Sequence, residues 1–86
     1  MTIYVYVIRS EKDHRFYVGM TSDVSRRLKE HNSGKARSTK AYRPWVLFFF
    51  EEYPERLSAR KREKYLKSGY GRKWIKEKFI LSEDKE

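Results

Sequence analysis

The sequence predicts an α+β fold (broadly α/β) of three strands and three helices in one small domain. Two apolar and aromatic segments, 3–8 and 16–20, are separated by a polar stretch of hairpin-loop length. A third, uninterrupted apolar segment occupies 45–50, and helical periodicity follows the second and third segments. Because a chain of 86 residues supports one core, we expect one domain over residues 1–81 and a charged tail over 82–86.

The first two strands are expected to form an antiparallel hairpin. β-Branched and aromatic residues fill 3–8, and the polar loop that follows returns the chain as 16–20. In any register that pairs an odd with an even position, Tyr6 and Tyr17 project from the same face. The segment 45–50 is apolar at every position, which predicts a strand covered on both faces, and we expect it to be the central one.

A helix is predicted over 24–32, after a short break at Gly19. Thr21, Ser22 and Asp23 each offer a side-chain oxygen to the free amides of the first turn, and the Asp23 carboxylate also suits the positive end of the helix dipole. Arg27 and His31 are four residues apart and therefore neighbours on one face. Two interpretations are open: these side chains cover the edge of the core and the end of the helix, or they present a phosphate-binding arginine and a proton-handling histidine at a cleft.

The segment 33–44 is small, polar and basic, without a usable period. A loop of this length in a small domain is either functional or mobile. Contact with phosphate groups and a solvated, mobile loop are both compatible with its composition. Its four cations, with no acid among them, are Lys35, Arg37, Lys40 and Arg43.

The second predicted helix, 55–67, places an acid on its buried face. Glu63 falls where the apolar stripe needs a residue, and an uncompensated buried carboxylate is costly. A surface ion pair with Lys67 is one explanation, and a metal-binding or catalytic carboxylate facing a cleft is the other. The rest of the stripe consists of Ala59, Leu66 and Tyr70. A break over 68–71 precedes a last helix over 72–81.

Composition points to a polyanionic partner. Lys and Arg number 21 against 12 Asp and Glu, which gives a net charge of +9 and a pI near 9.9. Aromatic residues at 16% separate the chain from disordered basic tails, so nucleic acid is the expected partner and a membrane is not. The absence of Cys excludes disulfides, thiolate metal sites and a Cys nucleophile. Without a signal-peptide pattern or a membrane-length apolar run, we expect a soluble cytoplasmic protein.

Several short motifs, each weak alone, occur in a specific order and spacing. They are Val5-Tyr6-Val7, Tyr17-Val18-Gly19, Arg27 and His31 within SRRLKEHN, and Glu63 within ARKREKYLK. Together they resemble the GIY-YIG nuclease superfamily, in particular its small stand-alone bacterial branch, from about residue 3 to residue 75. Tyr4 and Val5 stand where the family motif has Gly and Ile. The resemblance implies a GIY-YIG endonuclease-like fold, a three-stranded antiparallel sheet flanked by helices.

The resemblance also implies a role for each matching residue. Two phenols would position or deprotonate the attacking water, an arginine would steady the phosphate, a histidine would assist proton transfer, and a carboxylate would hold one Mg²⁺ or Mn²⁺ ion. In that order these residues are Tyr6 and Tyr17, Arg27, His31 and Glu63, with Gly19 as the motif glycine. The cations expected to bind nucleic acid are Lys35, Arg37, Lys40, Arg43, Arg60 and Lys67.

The expected function is therefore a divalent-metal-dependent DNA endonuclease, in DNA repair or in the processing of branched or damaged DNA. A protein partner could supply targeting, because no additional DNA-binding domain is evident. The alternative is a non-catalytic nucleic-acid-binding module of the same fold. A purely structural basic domain, such as a ribosome-associated factor, would leave the inward-facing Glu63 unexplained.

Overall fold

The computed structural model describes residues 1–83 and contains, within them, one three-stranded antiparallel sheet and three α-helices. The fold class and the three-stranded antiparallel sheet are as predicted, and the order of the strands is not. The strands are β1 (Ile3–Ser10), β2 (Phe16–Thr21) and β3 (Trp45–Tyr53), and the helices are α1 (Val24–Ser33), α2 (Arg56–Lys67) and α3 (Gly69–Glu83). A short 3₁₀ turn, Lys40–Tyr42, lies between α1 and β3. None of these helices is long and apolar enough to cross a membrane.

The hairpin of β1 and β2 has the predicted odd-to-even register. Tyr6 lies opposite Gly19, and Ile8 lies opposite Tyr17. Because side chains two residues apart on a strand share a face, Tyr6 and Tyr17 project from the same side of the sheet, which confirms that prediction.

The prediction that the third strand is central is wrong, because the strand order is β2-β1-β3 and β3 forms an edge. A register shift between Val7 and Ile8 leaves Phe48 as an extra residue in β3, so that both Phe48 and Phe49 pack on the same apolar cluster. The run thus contributes to both faces, with Trp45 on one and Phe48 and Phe49 on the other, but it is not buried throughout. The outward residues Val46, Leu47 and Phe50 are exposed.

The central strand β1 separates two differently composed faces. Its odd-numbered residues pack under α2 and α3, and its even-numbered residues lie against α1. The first face is an aliphatic and aromatic core that includes Ile3, Val5, Val7, Ala59, Leu66 and Ile75. The second combines Tyr6, Ile8 and Trp45 with Tyr17, Val24, Leu28 and Tyr42, and so includes both predicted site tyrosines.

The helices differ in detail from the predicted ones. Of the three expected capping residues, Asp23 caps α1 by accepting a hydrogen bond from the amide of Arg26, at 3.0 Å. Tyr70 was expected on the buried stripe and is 81% exposed, because α2 ends at Lys67 and its period stops there. Helix α3 begins at Gly69 and continues to Glu83, two residues into the predicted charged tail. The rest of that tail, 84–86, lies outside the described residues.

Candidate active site

The site begins with a hydrogen bond between two buried side chains. Tyr6 projects from the central strand, and His31 projects from the last turn of α1; they are 2% and 0% exposed. The phenol oxygen of Tyr6 lies 2.8 Å from Nε2 of His31. Gly34 ends α1 in the left-handed region at φ 88°, so the helix terminates just beyond this contact.

Gly19 allows the Tyr6 ring to lie across β2. A Cβ at this position would be 2.5 Å from the phenol oxygen of Tyr6, closer than the two atoms can approach. The glycine of the second motif is therefore required for space. Tyr17, on the same face, meets the His31 ring edge-on, with 5.1 Å between ring centroids. The structure thus brings Tyr6, Tyr17, His31 and Gly19 together, and we call this group the phenol cluster.

Arg27 borders this cluster from α1. Its guanidinium lies beside the phenol oxygen of Tyr6 and donates to Oε1 of Glu30, at 2.9 Å. This ion pair and the neighbouring phenol raise the pKa of Arg27, so the guanidinium stays charged. A fixed positive charge beside a phenol is suited to holding a phosphate oxygen.

Burial sets the protonation states of the central pair. It raises the pKa of Tyr6 to about 12, with Arg27 opposing the shift and with Tyr17 and Glu63 adding to it. Burial also lowers the pKa of His31 to about 4, helped by the Arg27 charge and opposed by Glu30. At neutral pH both groups are therefore uncharged, and the proton between them belongs to the phenol.

The lowered His31 pKa predicts an acid-sensitive fold. Above the ordinary histidine pKa of 6.5, the imidazole is neutral in both states and its stabilising contribution is complete. As the pH falls towards 4, the unfolded chain gains a proton that the folded chain excludes, which costs about 3 kcal/mol of unfolding free energy. Urea denaturation at several pH values should therefore show a smaller loss of stability for His31→Gln than for the wild type.

The exposed His14 supplies the control for that experiment. His14→Gln should follow the wild-type pH dependence, because its ring lies on the surface of the β1–β2 turn. Parallel curves for the wild type and His31→Gln would show that the His31 pKa is not depressed.

Glu63 lies on the inner side of α2, as its position in the stripe predicts. Its side chain is 14% exposed, with Oε2 3.1 Å from Nζ of Lys67 and Oε1 3.8 Å from Nε of Arg60. The expected ion pair with Lys67 and the inward orientation therefore coexist. Glu63 is near enough to act on the pKa of Tyr6, but it makes no hydrogen bond to the cluster among the described residues.

A lone carboxylate is compatible with a magnesium or manganese site. Residues 1–83 contain no group of three or more His, Cys, Asp or Glu side chains arranged to hold a metal. Mg²⁺ commonly uses one or two carboxylates and fills its other positions with water and substrate phosphate oxygens. Glu63, whose side chain is 14% exposed and whose charge acts on Tyr6, fits that pattern as the single protein ligand.

Side-chain hydrogen bonds hold the loop between α1 and β3. Asn32 clamps the backbone of Trp45, donating to its carbonyl at 2.9 Å and accepting from its amide at 2.6 Å. The Trp45 indole donates to the carbonyl of Thr39, and Ser10 donates to that of Tyr42. These contacts hold the loop in place against α1 and β3, and its contact with phosphate groups stays a prediction.

Thr39 and Asn32 are absent from the predicted site. Oγ1 of Thr39 lies 2.7 Å from Nδ1 of His31. No spacing rule marks this threonine, because the contact depends on how an aperiodic loop folds back on α1. Asn32 carries one usable signal, its position directly after His31 at the end of a helix.

Three of the predicted nucleic-acid-binding cations line one open groove beside this loop. Arg37, Lys40 and Arg43 are joined there by Lys12 from the β1–β2 turn. The groove has a volume of about 620 Å³, and within residues 1–83 no carboxylate lines it. The other three predicted cations lie elsewhere: Lys35 is outside the groove, and Arg60 and Lys67 are on α2 beside Glu63.

Comparisons with known proteins agree with this architecture. The family model described as the GIY-YIG catalytic domain matches residues 2–78. The UPF0213 protein SH2523 of Staphylococcus haemolyticus is 39% identical over 66 residues, covering 76% of this chain and 79% of that protein. The structure-specific endonuclease subunit SLX1 of Scheffersomyces stipitis is 35% identical over 89 residues, covering 94% of this chain but only 26% of that longer protein.

A solved structure also matches this fold. The solution NMR structure of the UPF0213 protein BH0048 from Bacillus halodurans matches with a TM-score of 0.52 at 32% identity, covering 98% of this chain and 86% of that one. The family model covers nearly the whole chain, and it includes every residue of the phenol cluster together with Glu63. The chain belongs to the GIY-YIG nuclease superfamily.

Proposed function

We propose that this protein is a divalent-metal-dependent endonuclease that hydrolyses phosphodiester bonds in DNA. The observation that carries the proposal is the 2.8 Å hydrogen bond between Tyr6 and His31, formed beside the charged guanidinium of Arg27. A pair that would take a proton from the attacking water thus lies beside a cation that would hold a phosphate oxygen. Both functions assist hydrolysis of a phosphodiester.

The phenol and the imidazole would act together on the attacking water. The Tyr6 oxygen takes a proton from water as its own proton passes to Nε2 of His31, and the water oxygen then bonds to phosphorus. The bond to the leaving deoxyribose oxygen breaks, and that oxygen takes a proton from solvent. His31 returns its extra proton to Tyr6, and Tyr6 releases one to solvent, which restores the pair. Burial is the main cause of the low His31 pKa, and the Arg27 charge adds to it. The incoming phosphate would offset that charge and so make the imidazole a better base.

Three other residues complete the proposed site. Arg27 would bind a non-bridging phosphate oxygen, and Tyr17 would help to position the water from the same sheet face. Glu63 would hold one Mg²⁺ or Mn²⁺ ion, exchanging its contact with Lys67 for the metal. Such an ion supplies Lewis-acid stabilisation of the charge that develops on the phosphate oxygens.

The substrate is proposed to be recognised by shape and not by base sequence. The relative SLX1 is named as a structure-specific endonuclease subunit, and the basic groove described above offers phosphate contacts but no evident means of base readout. Branched or damaged DNA, as in repair, fits such recognition. A partner protein that supplies targeting is part of the proposal, since that relative is named as a subunit.

The test is incubation of the purified protein with labelled single-stranded, duplex and branched DNA. Each substrate is presented with Mg²⁺, with Mn²⁺ or with a chelator. Products that require the metal, with branched DNA cut fastest, are the expected result. Binding without products under every condition would overturn the proposed activity.

The cations of the basic groove should contribute more to nucleic-acid binding than the same number of cations elsewhere on the protein. The Arg37 and Lys40 side chains make no ion pair among the described residues, so they are free to contact phosphates. Arg37→Gln/Lys40→Gln should weaken binding and lower the salt slope of log K by roughly 2, at about 0.9 per phosphate contact. Titrations of labelled duplex at several salt concentrations measure this slope.

A matched pair of lysines on α3 controls for net charge. Lys73→Gln/Lys76→Gln removes the same charge from an exposed part of α3 that does not line the groove. This variant should keep nearly the wild-type slope. Equal losses in the two double variants would mean that the field of the whole protein, and not the groove, holds the nucleic acid.

A binding-only function is the second candidate, and one observation favours it. Tyr6 is 2% exposed and Glu63 is paired with Lys67, whereas the basic groove is open to a polyanion. The incubation described above separates the two candidates, because a binding module would show salt-sensitive association without cleavage.

A further inference from the structure

Both ring nitrogens of His31 are paired with buried hydroxyl groups. Thr39 Oγ1 lies 2.7 Å from Nδ1, and Tyr6 Oη lies 2.8 Å from Nε2. We propose that Thr39 is a positioning residue that holds His31 as the tautomer protonated at Nδ1, leaving Nε2 free to accept the Tyr6 proton. The catalytic consequence rests on the proposed nuclease function, whereas the tautomer itself does not.

The direction of the hydrogen bonds follows from the Tyr6 hydroxyl, which has one proton to donate. The groups at hydrogen-bonding range are His31 and Arg27, and a guanidinium has only donors; Tyr17 and Glu63 act on Tyr6 through charge alone. Among the described residues, Nε2 of His31 is the acceptor within hydrogen-bonding distance. The phenol therefore donates to Nε2, and Nε2 carries no proton.

The rest of the chain of hydrogen bonds then follows. A neutral imidazole whose Nε2 is unprotonated must carry its proton on Nδ1, which faces Thr39. Thr39 Oγ1 accepts a hydrogen bond from Nδ1 of His31. The Thr39 hydroxyl in turn donates to the carbonyl of Ala36, at 3.3 Å. This last bond is the weakest, because the same carbonyl also accepts the amides of Thr39 and Lys40.

The other tautomer would leave a buried donor without a partner. If Nε2 carried the proton, it would donate to the Tyr6 oxygen, and the Tyr6 proton would face only the donor groups of Arg27. Among the described residues the Tyr6 proton would then have no acceptor within hydrogen-bonding distance, so this arrangement is disfavoured. In the proposed tautomer every donor in the chain has an acceptor.

Thr39 suits mutagenesis because its backbone is held independently of its hydroxyl. The Trp45 indole donates to the Thr39 carbonyl at 2.9 Å, and the Thr39 amide donates to Ala36. Thr39→Val keeps the shape of the side chain and removes the hydroxyl. Thr39→Ser keeps the hydroxyl and is the matched control.

The first measurement is NMR of the two ring nitrogens in ¹⁵N-labelled protein near neutral pH, where His31 is neutral. The wild type and Thr39→Ser should show a protonated Nδ1 and an unprotonated Nε2. Thr39→Val should shift His31 towards the Nε2-protonated form or to an average of the two. The exposed His14 supplies an internal reference in each sample, and thermal unfolding verifies that Thr39→Val is folded.

The second measurement is the DNA-cleavage rate of the same variants, and its outcome does not affect the tautomer measurement. Thr39→Val should lower kcat by roughly 10- to 100-fold, the range seen when the partner that orients a functional histidine is lost, and Thr39→Ser should restore most of it. KM should change little, because Thr39 does not reach the substrate. If the wild type cleaves nothing, the proposed function fails while the nitrogen shifts still decide the tautomer.

Two results would overturn the inference. One is a wild-type His31 protonated at Nε2. The other is a folded Thr39→Val protein with wild-type nitrogen shifts, which would show that Tyr6 alone sets the tautomer.

Discussion

Glu63→Gln is expected to abolish cleavage while DNA binding is retained or becomes tighter. The substitution keeps the size of the side chain and removes the negative charge that would hold the metal, so the charge developing on the phosphate oxygens loses its main stabilisation. We expect a loss of roughly 10²–10³-fold or more in kcat, the scale of losing one preorganised charge-stabilising group. Single-turnover cleavage and a binding titration measure the two quantities.

Two further variants make this result specific. Glu55→Gln changes an exposed acid whose side chain does not cap α2, and its activity should match the wild type. Lys67→Met breaks the 3.1 Å ion pair with Glu63 but keeps the carboxylate, so it should lose far less activity than Glu63→Gln. Cleavage by Glu63→Gln at the wild-type rate would remove Glu63 from the site.

Tyr6→Phe is expected to produce the second large effect. It deletes the one atom that joins the phenol to His31 and preserves the ring that packs over Gly19. Loss of general acid–base assistance predicts a fall in kcat of about 10²–10⁴-fold. His31 also loses its hydrogen-bond donor at Nε2, so unfolding free energy should fall by about 1–3 kcal/mol. Cleavage kinetics and urea denaturation measure the two effects.

Tyr4→Phe is the matched control for that experiment. Tyr4 lies on the same strand and the same face, two residues from Tyr6, and its hydroxyl makes no hydrogen bond among the described residues. It should leave both activity and stability close to the wild type. If Tyr6→Phe cleaves as fast as Tyr4→Phe, the phenol oxygen takes no part in the reaction.

The sequence predicted the features that depend on short-range periodicity. The alternation of side chains along β1 and β2 is enough to place Tyr6 and Tyr17 on one face. Asp23 marks the start of α1, because capping is a local interaction. The inward position of Glu63 likewise follows from the helical period alone.

Features that depend on tertiary contacts were not predictable in the same way. The bulge at Phe48 places two neighbouring phenylalanines on one face, and from the sequence this looks the same as a strand buried on both sides. The contact of Thr39 with His31 requires the loop to fold back, and the composition of that loop allowed a mobile segment equally well. The basic groove gains Lys12 from a separate turn, a neighbour that no spacing in the sequence reveals.

Because the side chains of β1 alternate between the two faces of the sheet, this one strand contributes both to the core and to the candidate site. Val5 and Val7 fill the core beneath α2, while Tyr6, between them, serves the opposite face. Deletion of a single residue in β1 would exchange these sets, placing a phenol in the aliphatic core and a valine beside His31. In random libraries of this strand, substitutions that keep each face apolar or aromatic should therefore be tolerated far better than any insertion or deletion. An insertion or deletion should abolish folding and cleavage together.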